Sequence, residues 1–249
     1  MFRRLFYYRP FMERTLCHFL RQRLSLSMVT LDSLYKDAEE IPITIRKLPK
    51  GSWSTPLSDL VMLLKLAMCA KPQQLMEVGS FRGYTALYLA QHIAPNARVV
   101  SIDCNPAHGE AYLHTPYSAQ IERRVGVTSP EMFSGDEPQS YDLIFLDADH
   151  AYNSVQYDTE LLMPLLAPNG YFVWHDYANW GYFDGKNGVP EFLNQLAKRL
   201  PIMHVLGTDL AICSPNWMAN DWAVYHDIAQ NRSPSLVGAD PWGSDTFRG

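Results

Sequence analysis

Between Gln74 and Cys213 the chain alternates short, β-rich apolar runs with helical stretches, and this alternation narrows its fold more than any other feature. Neighbouring parallel strands need a long crossover, usually a helix, so the pattern predicts an open α/β sheet wound with helices on both faces. Strands are expected at Gln74–Val78, Arg98–Asp103, Ile121–Val125, Asp142–Asp147 and Tyr171–His175, with two more near Ile202–Leu206 and Leu210–Cys213. That makes a doubly wound, mostly parallel sheet of seven strands. Helices are expected over Leu57–Ala70, Tyr84–His92, Val155–Leu166 and Pro190–Leu200. Ahead of them, Leu16, Phe19, Leu20 and Leu24 recur at helix spacing and predict a helical stretch from about Phe11 to Glu40.

The chain divides into an N-terminal helical extension (1–55), a ligand-binding catalytic domain (56–215) and an irregular tail (216–249). A net charge of −5 disfavours a nucleic-acid surface, which needs an excess of Lys and Arg. Arg3, Arg4, Arg9 and Arg14 interrupt the aromatic N-terminus, so neither a secretion signal nor a membrane span is expected. A cytoplasmic protein follows from that reading, and the aromatic arm suits a homodimer contact. Cys17, Cys69, Cys104 and Cys213 lack metal or redox spacing and are expected to be buried free thiols.

In LMEVGSFRGYTALYLA an apolar strand ends in an acid, turns through Gly79 and Gly83 and enters a helix near Thr85. Open parallel sheets bind ligands at such turns, where glycine admits a close approach and the helix offers free N–H groups. Asp103 ends the next strand, at the distance of a carboxylate that grips a ribose diol, so the pair describes an adenosine crevice. Dinucleotide sites use G-x-G-x-x-G, whereas the spacing here is G-x-x-x-G. Glu77 at the mouth of the turn would repel a pyrophosphate and attract an ammonium or sulfonium, which favours S-adenosylmethionine.

EVGSFRGYT resembles the first motif of class I S-adenosylmethionine-dependent methyltransferases, in the form used by small-molecule O-methyltransferases. The likeness runs from about Trp53 to Cys213 and implies a Rossmann-like methyltransferase sheet. It also implies that Glu77, Gly79, Ser80 and Gly83 line the methionine end, that Asp103 holds the ribose, and that Thr128 and Ser129 flank the adenine.

YDLIFLDADHAY brings Asp147, Asp149 and His150 to one strand end, and YFVWHDYANW brings His175, Asp176 and Tyr177 to the next. These segments resemble those of macrocin-type sugar O-methyltransferases and, more distantly, catechol O-methyltransferase. The resemblance implies a divalent ion, magnesium in those families, at Asp147, His175 and Asp176, next to the cofactor. It offers Asp149 as the base. Magnesium prefers oxygen ligands, and His175 departs from that pattern. A metal-free alternative uses His150 or His175 as a base near neutrality. Beyond them Trp180, Tyr182 and Phe183 stand in a glycine-punctuated loop, either a lid or a subunit contact. Trp53 and Tyr177 complete the expected acceptor surface. The expected reaction is methyl transfer to a hydroxyl of a small molecule such as a sugar, phenol or other natural product. The rivals are the same fold with a non-methylating role, binding or metal-assisted hydroxylation, and a nicotinamide dehydrogenase.

Overall fold

The computed structural model describes residues 24–49, 53–179 and 188–219. Eight strands form one sheet: β1 (Ser27–Val29), β2 (Gln74–Val78), β3 (Arg98–Asp103), β4 (Ile121–Val125), β5 (Tyr141–Leu146), β6 (Leu166–Trp174), β7 (Met203–Val205) and β8 (Ala211–Cys213). Their spatial order is β1-β7-β8-β6-β5-β2-β3-β4, and only β8 runs antiparallel to its neighbours. Four helices of eight residues or more accompany them: α1 (Leu57–Ala70), α2 (Tyr84–His92), α3 (Tyr152–Leu162) and α4 (Val189–Leu196).

Strand alternation builds a core on each face of the sheet. Leu75, Leu143, Phe145 and Val173 pack with Leu60, Leu63 and Leu64 of α1 and Ala86 and Leu89 of α2. Met76, Ile144, Phe172 and Trp174 point the other way and pack with Val155 and Leu162 of α3 and Phe192 of α4. Each buried Leu, Ile, Val, Phe or Met side chain among them contributes about 1.5–3 kcal/mol by leaving water. The buried indole N–H of Trp174 is satisfied by Thr159 Oγ1 at 2.9 Å. Because β3 and β4 lie to one side of β2, and β5 and β6 to the other, the chain reverses direction between β2 and β5. The ligand crevice of an open α/β sheet lies at that switch point.

The expected helix over Phe11–Glu40 needs correction in its described part. Residues 27–29 form β1, parallel to β7, followed by a single helical turn at Leu31–Leu34 and a 3-10 turn at Ala38–Glu40. LSLSMVT alternates apolar and small polar residues and ends in a β-branched pair, which suits a strand better than a helix. Among the described residues the sheet therefore has eight strands where seven were expected. Strand β6 begins at Leu166, earlier than expected, and the tail opens with a helical turn at Asn216–Ala219. Of the cysteines, Cys213 is buried, Cys69 half-buried and Cys104 exposed, all free thiols; Cys17 lies outside the described residues. No helix among the described residues is long and apolar enough to cross a membrane.

Candidate active site

The tips of β2, β3, β5 and β6 open into one cavity of about 880 Å³. The turn after β2 holds Gly79 at φ +97° and Gly83 at φ +80°, where side chains are strained. Gly79 donates its N–H to Ile102 O at 2.9 Å and lies so close to β5 that a Cβ there would stand 1.8 Å from the carbonyl oxygen of Asp147. Asp103 closes the turn from β3. Its Oδ2 accepts the Phe81 N–H at 2.8 Å, while Oδ1 accepts the Asn105 N–H at 2.8 Å and lies 2.9 Å from His108 Nδ1.

Gly79, Ser80, Thr85, Asp103, Thr128, Asp147, Asp149, His150, His175 and Asp176 all line the cavity. Trp53 lines its rim and is 68% exposed. Gly83 closes the turn behind, against Tyr112. Three expected residues stand elsewhere among the described ones. Ser129 caps a 3-10 turn by accepting the Met132 N–H, and does not line the cavity. Tyr177 is buried in the core, with its hydroxyl between Leu26 N (3.0 Å) and Asn194 Oδ1 (2.8 Å). Trp180 and Tyr182, with Phe183, lie outside the described residues.

Glu77 is the third. Its position in β2 places it on the Leu75 face of the sheet, so it is buried below the turn, and its Oε2 accepts from Ser101 Oγ at 2.7 Å. Burial pushes its pKa up to about 8, against the pull of the Ser101 hydrogen bond. The carboxylates that line the cavity are instead five aspartates, at 103, 147, 149, 158 and 176. The folded state holds a proton on Glu77 that the unfolded chain releases above its ordinary 4.5, so stability falls as pH rises from there toward 8. Glu77→Gln is expected to melt close to wild type at pH 4.5 and to be more stable by about 2 kcal/mol or more at pH 8. Parallel melting temperatures for the two proteins across that range would contradict this.

The acid and histidine cluster lies where β5 and β6 end. His175, 6% exposed, directs Nδ1 at Asp147 Oδ1 and Asp176 Oδ2, each 3.1 Å away. Its Nε2 lies 2.9 Å from Oδ2 of Asp59, a residue of α1 that is 1% exposed. His150 Nε2 lies 2.6 Å from Asp176 Oδ2 and 3.8 Å from Asp147 Oδ1. Burial works against charge on both rings, but the facing carboxylates outweigh it. His150 is raised to about 9 and His175 further still. Burial likewise opposes ionisation of Asp147 and Asp176, yet the two rings hold both below the usual range. The expected histidine base near neutrality is therefore not what this arrangement gives. Asp149 differs: it is exposed, and a 2.6 Å hydrogen bond from Ser154 keeps its carboxylate ionised.

Sequence reasoning missed Asp59, Thr55 and Asp158. Asp59 precedes Leu60 and stands four residues before Leu63, on the buried stripe of α1. An acid on an apolar stripe was the available signal. Thr55 Oγ1 reaches Asp147 Oδ2 at 3.3 Å, and Asp158 accepts from Thr128 in the cavity wall.

A sequence profile described as a methyltransferase domain matches residues 76–177, the span that carries the β2 turn, Asp103 and the whole cluster. By that match residues 76–177 resemble a methyltransferase domain. Two curated relatives agree with this. A catechol O-methyltransferase of Mycobacterium tuberculosis is 28% identical over 124 residues, 47% of this chain and 50% of that one. A caffeoyl-CoA O-methyltransferase of Stellaria longipes is 26% identical over 186 residues, 68% of this chain and 76% of that one. The chain thus spans half the length of the first relative and three quarters of the second. The methyltransferase fold is shared with the solved O-methyltransferase of Bacillus cereus in complex with SAH, at a TM-score of 0.54 and 18% identity over 66% of this chain and 84% of that one.

The donor set of the methyltransferase domain suits both groups that its fold implies. Arg82 is the one lysine or arginine among the described lining residues, and it stands 3.8 Å from Glu110. Five aspartates against Arg82 and the charged His150 and His175 leave the lining net negative, which suits a cationic ligand better than a pyrophosphate. Donor atoms of Asp147, His175 and Asp176 lie within 4.8 Å of one another, close enough to share one ion.

Proposed function

We propose that the protein transfers the methyl group of S-adenosylmethionine to a hydroxyl of a small molecule. The observation that carries this reading is a single cavity with Asp103 at one strand tip and the Asp147, His175 and Asp176 cluster across Gly79 from it. In this reading Asp103 takes the ribose diol, Ser80 and the Gly79 turn take the methionine end, and Thr128 with Asp158 flanks the adenine. When bound, the cofactor supplies a methyl group on a sulfonium, open to in-line displacement by an oxygen.

The chain's own residues align that oxygen and take its proton. Asp149 is ionised and exposed at the cavity edge, and it accepts the hydroxyl proton as the new C–O bond forms. Asp147, His175 and Asp176 would hold a divalent ion, which would lower the acceptor's pKa and fix its position. The curated relatives' catechol and caffeoyl-CoA names support a small hydroxylated acceptor. The acidic net charge supports a partner other than nucleic acid. A cytoplasmic homodimer remains part of this reading.

Transfer of a labelled methyl group from the cofactor to a panel of phenols, sugars and other hydroxylated metabolites tests it. A labelled methyl ether is expected. Cofactor binding without label transfer to any class would favour the non-methylating rival. Asp103→Ala is expected to raise the cofactor KM about tenfold or more while leaving the fold intact, through loss of the charged diol acceptor. An unchanged KM in a folded variant would remove Asp103 from the cofactor site.

A further inference from the structure

Magnesium binds through oxygen and keeps several waters, whereas imidazole suits zinc, iron, copper or nickel and is accepted by manganese. The cluster here is not an all-oxygen set. Two ligands at right angles, each about 2.1 Å from one ion, stand about 3 Å apart. His175 Nδ1 lies 3.1 Å from Asp147 Oδ1 and 3.1 Å from Asp176 Oδ2, so nitrogen and both oxygens are spaced as adjoining ligands. All three residues line the cavity, which gives an ion access.

Which nitrogen faces the carboxylates is decided from behind. Asp59 Oδ2 takes the Nε2–H of His175 at 2.9 Å, and Asp59 is itself held by the Asp209 N–H at 3.3 Å and the Ser58 hydroxyl at 3.0 Å. The Phe145 ring meets the imidazole edge-on, with centroids 6.2 Å apart, and limits its rotation. An ion bound at Nδ1 displaces to solvent the proton this ring otherwise carries there. A histidine that ligates through one nitrogen and donates the other to a buried carboxylate is oriented for metal, and such outer carboxylates are worth about 10–100-fold in affinity.

We propose that Asp147, His175 and Asp176 take a first-row transition ion in preference to magnesium, with Asp59 as the positioning residue that fixes His175 for it. This deepens the methyl-transfer reading by naming the ion. It is tested apart from turnover, with neither cofactor nor acceptor present. The full-length protein, stripped with a chelator, is titrated calorimetrically with manganese, zinc and magnesium chlorides. One manganese or zinc ion per chain is expected, bound at least about tenfold more tightly than magnesium. The electron spin-echo spectrum of the manganese form is expected to show nitrogen coupling from a directly bound imidazole.

Asp59→Asn is expected to weaken manganese binding about 10–100-fold, with the circular dichroism melt and the binding of S-adenosylhomocysteine retained. His175→Asp, which restores an all-oxygen set, is expected to shift preference toward magnesium. Magnesium binding as tight as manganese, absence of nitrogen coupling, or failure to bind any of the three ions would each overturn the proposal. The nitrogen coupling is read in the unsubstituted protein and so does not depend on how either variant folds. Ion binding by a protein that ignores S-adenosylhomocysteine would overturn the methyl-transfer reading and leave this one standing.

Discussion

Gly79→Ala is expected to cost the protein about 3–5 kcal/mol and to lower its melting temperature by about 10 °C. A Cβ at this position would stand 1.8 Å from Asp147 O, 2.5 Å from Asp147 C and 2.9 Å from Ala148 Cα. All three are backbone atoms, so no side chain can turn aside to relieve the overlap. The residue also has φ +97°, which alanine adopts only under strain. Relief requires the tips of β2 and β5 to part, and these tips separate Asp103 from the acid and histidine cluster. Loss of cofactor binding is therefore expected along with the loss of stability. A melting temperature within about 2 °C of wild type would show that the strand tips are not packed as described.

Asp176→Asn is expected to lower kcat about 10²–10³-fold, with the cofactor KM changed no more than a few-fold. Asp176 has φ +61°, a conformation that asparagine tolerates, so the substitution removes charge without backbone strain. What it removes is the carboxylate oxygen that lies 2.6 Å from His150 Nε2 and 3.1 Å from His175 Nδ1. Without it, the two rings lose one of the two carboxylates they share and an ion loses one ligand. Asp176 follows β6 and Asp103, which serves the cofactor's ribose in this account, ends β3, with β5 and β2 between them, so binding and turnover should separate. Initial rates at varied cofactor concentration measure both quantities. Unchanged kcat would place the reacting end of the cavity elsewhere.

Much of this arrangement was legible in the residues. The alternation of apolar strands and helices sets the parallel sheet, and its switch point brings Gly79, Asp103 and Asp147 to one crevice. LDADHAY and HDYANW fall at adjoining strand ends because β5 and β6 pair in parallel register, Leu146 against Trp174. Other parts depend on tertiary context. Glu77 looked like the mouth of the site because it adjoins the glycine turn, but strand alternation turns it toward Leu75 and into the core. Its parity with Leu75 was in the sequence; the depth of burial was not. Asp59 comes from a helix that reads as plain apolar packing, and only the fold brings it to His175, 116 positions away in sequence. β1 was taken for helix because it is three residues long and depends on β7 for its pairing.

What the cavity binds decides the protein's chemistry most directly. Calorimetric titration of the purified protein with S-adenosylhomocysteine and, separately, with NAD⁺ decides it. Saturable one-to-one binding of the sulfur nucleoside, weakened by Asp103→Ala, with no heat from the dinucleotide, is the predicted result. Tight dinucleotide binding with none for the sulfur nucleoside would contradict it.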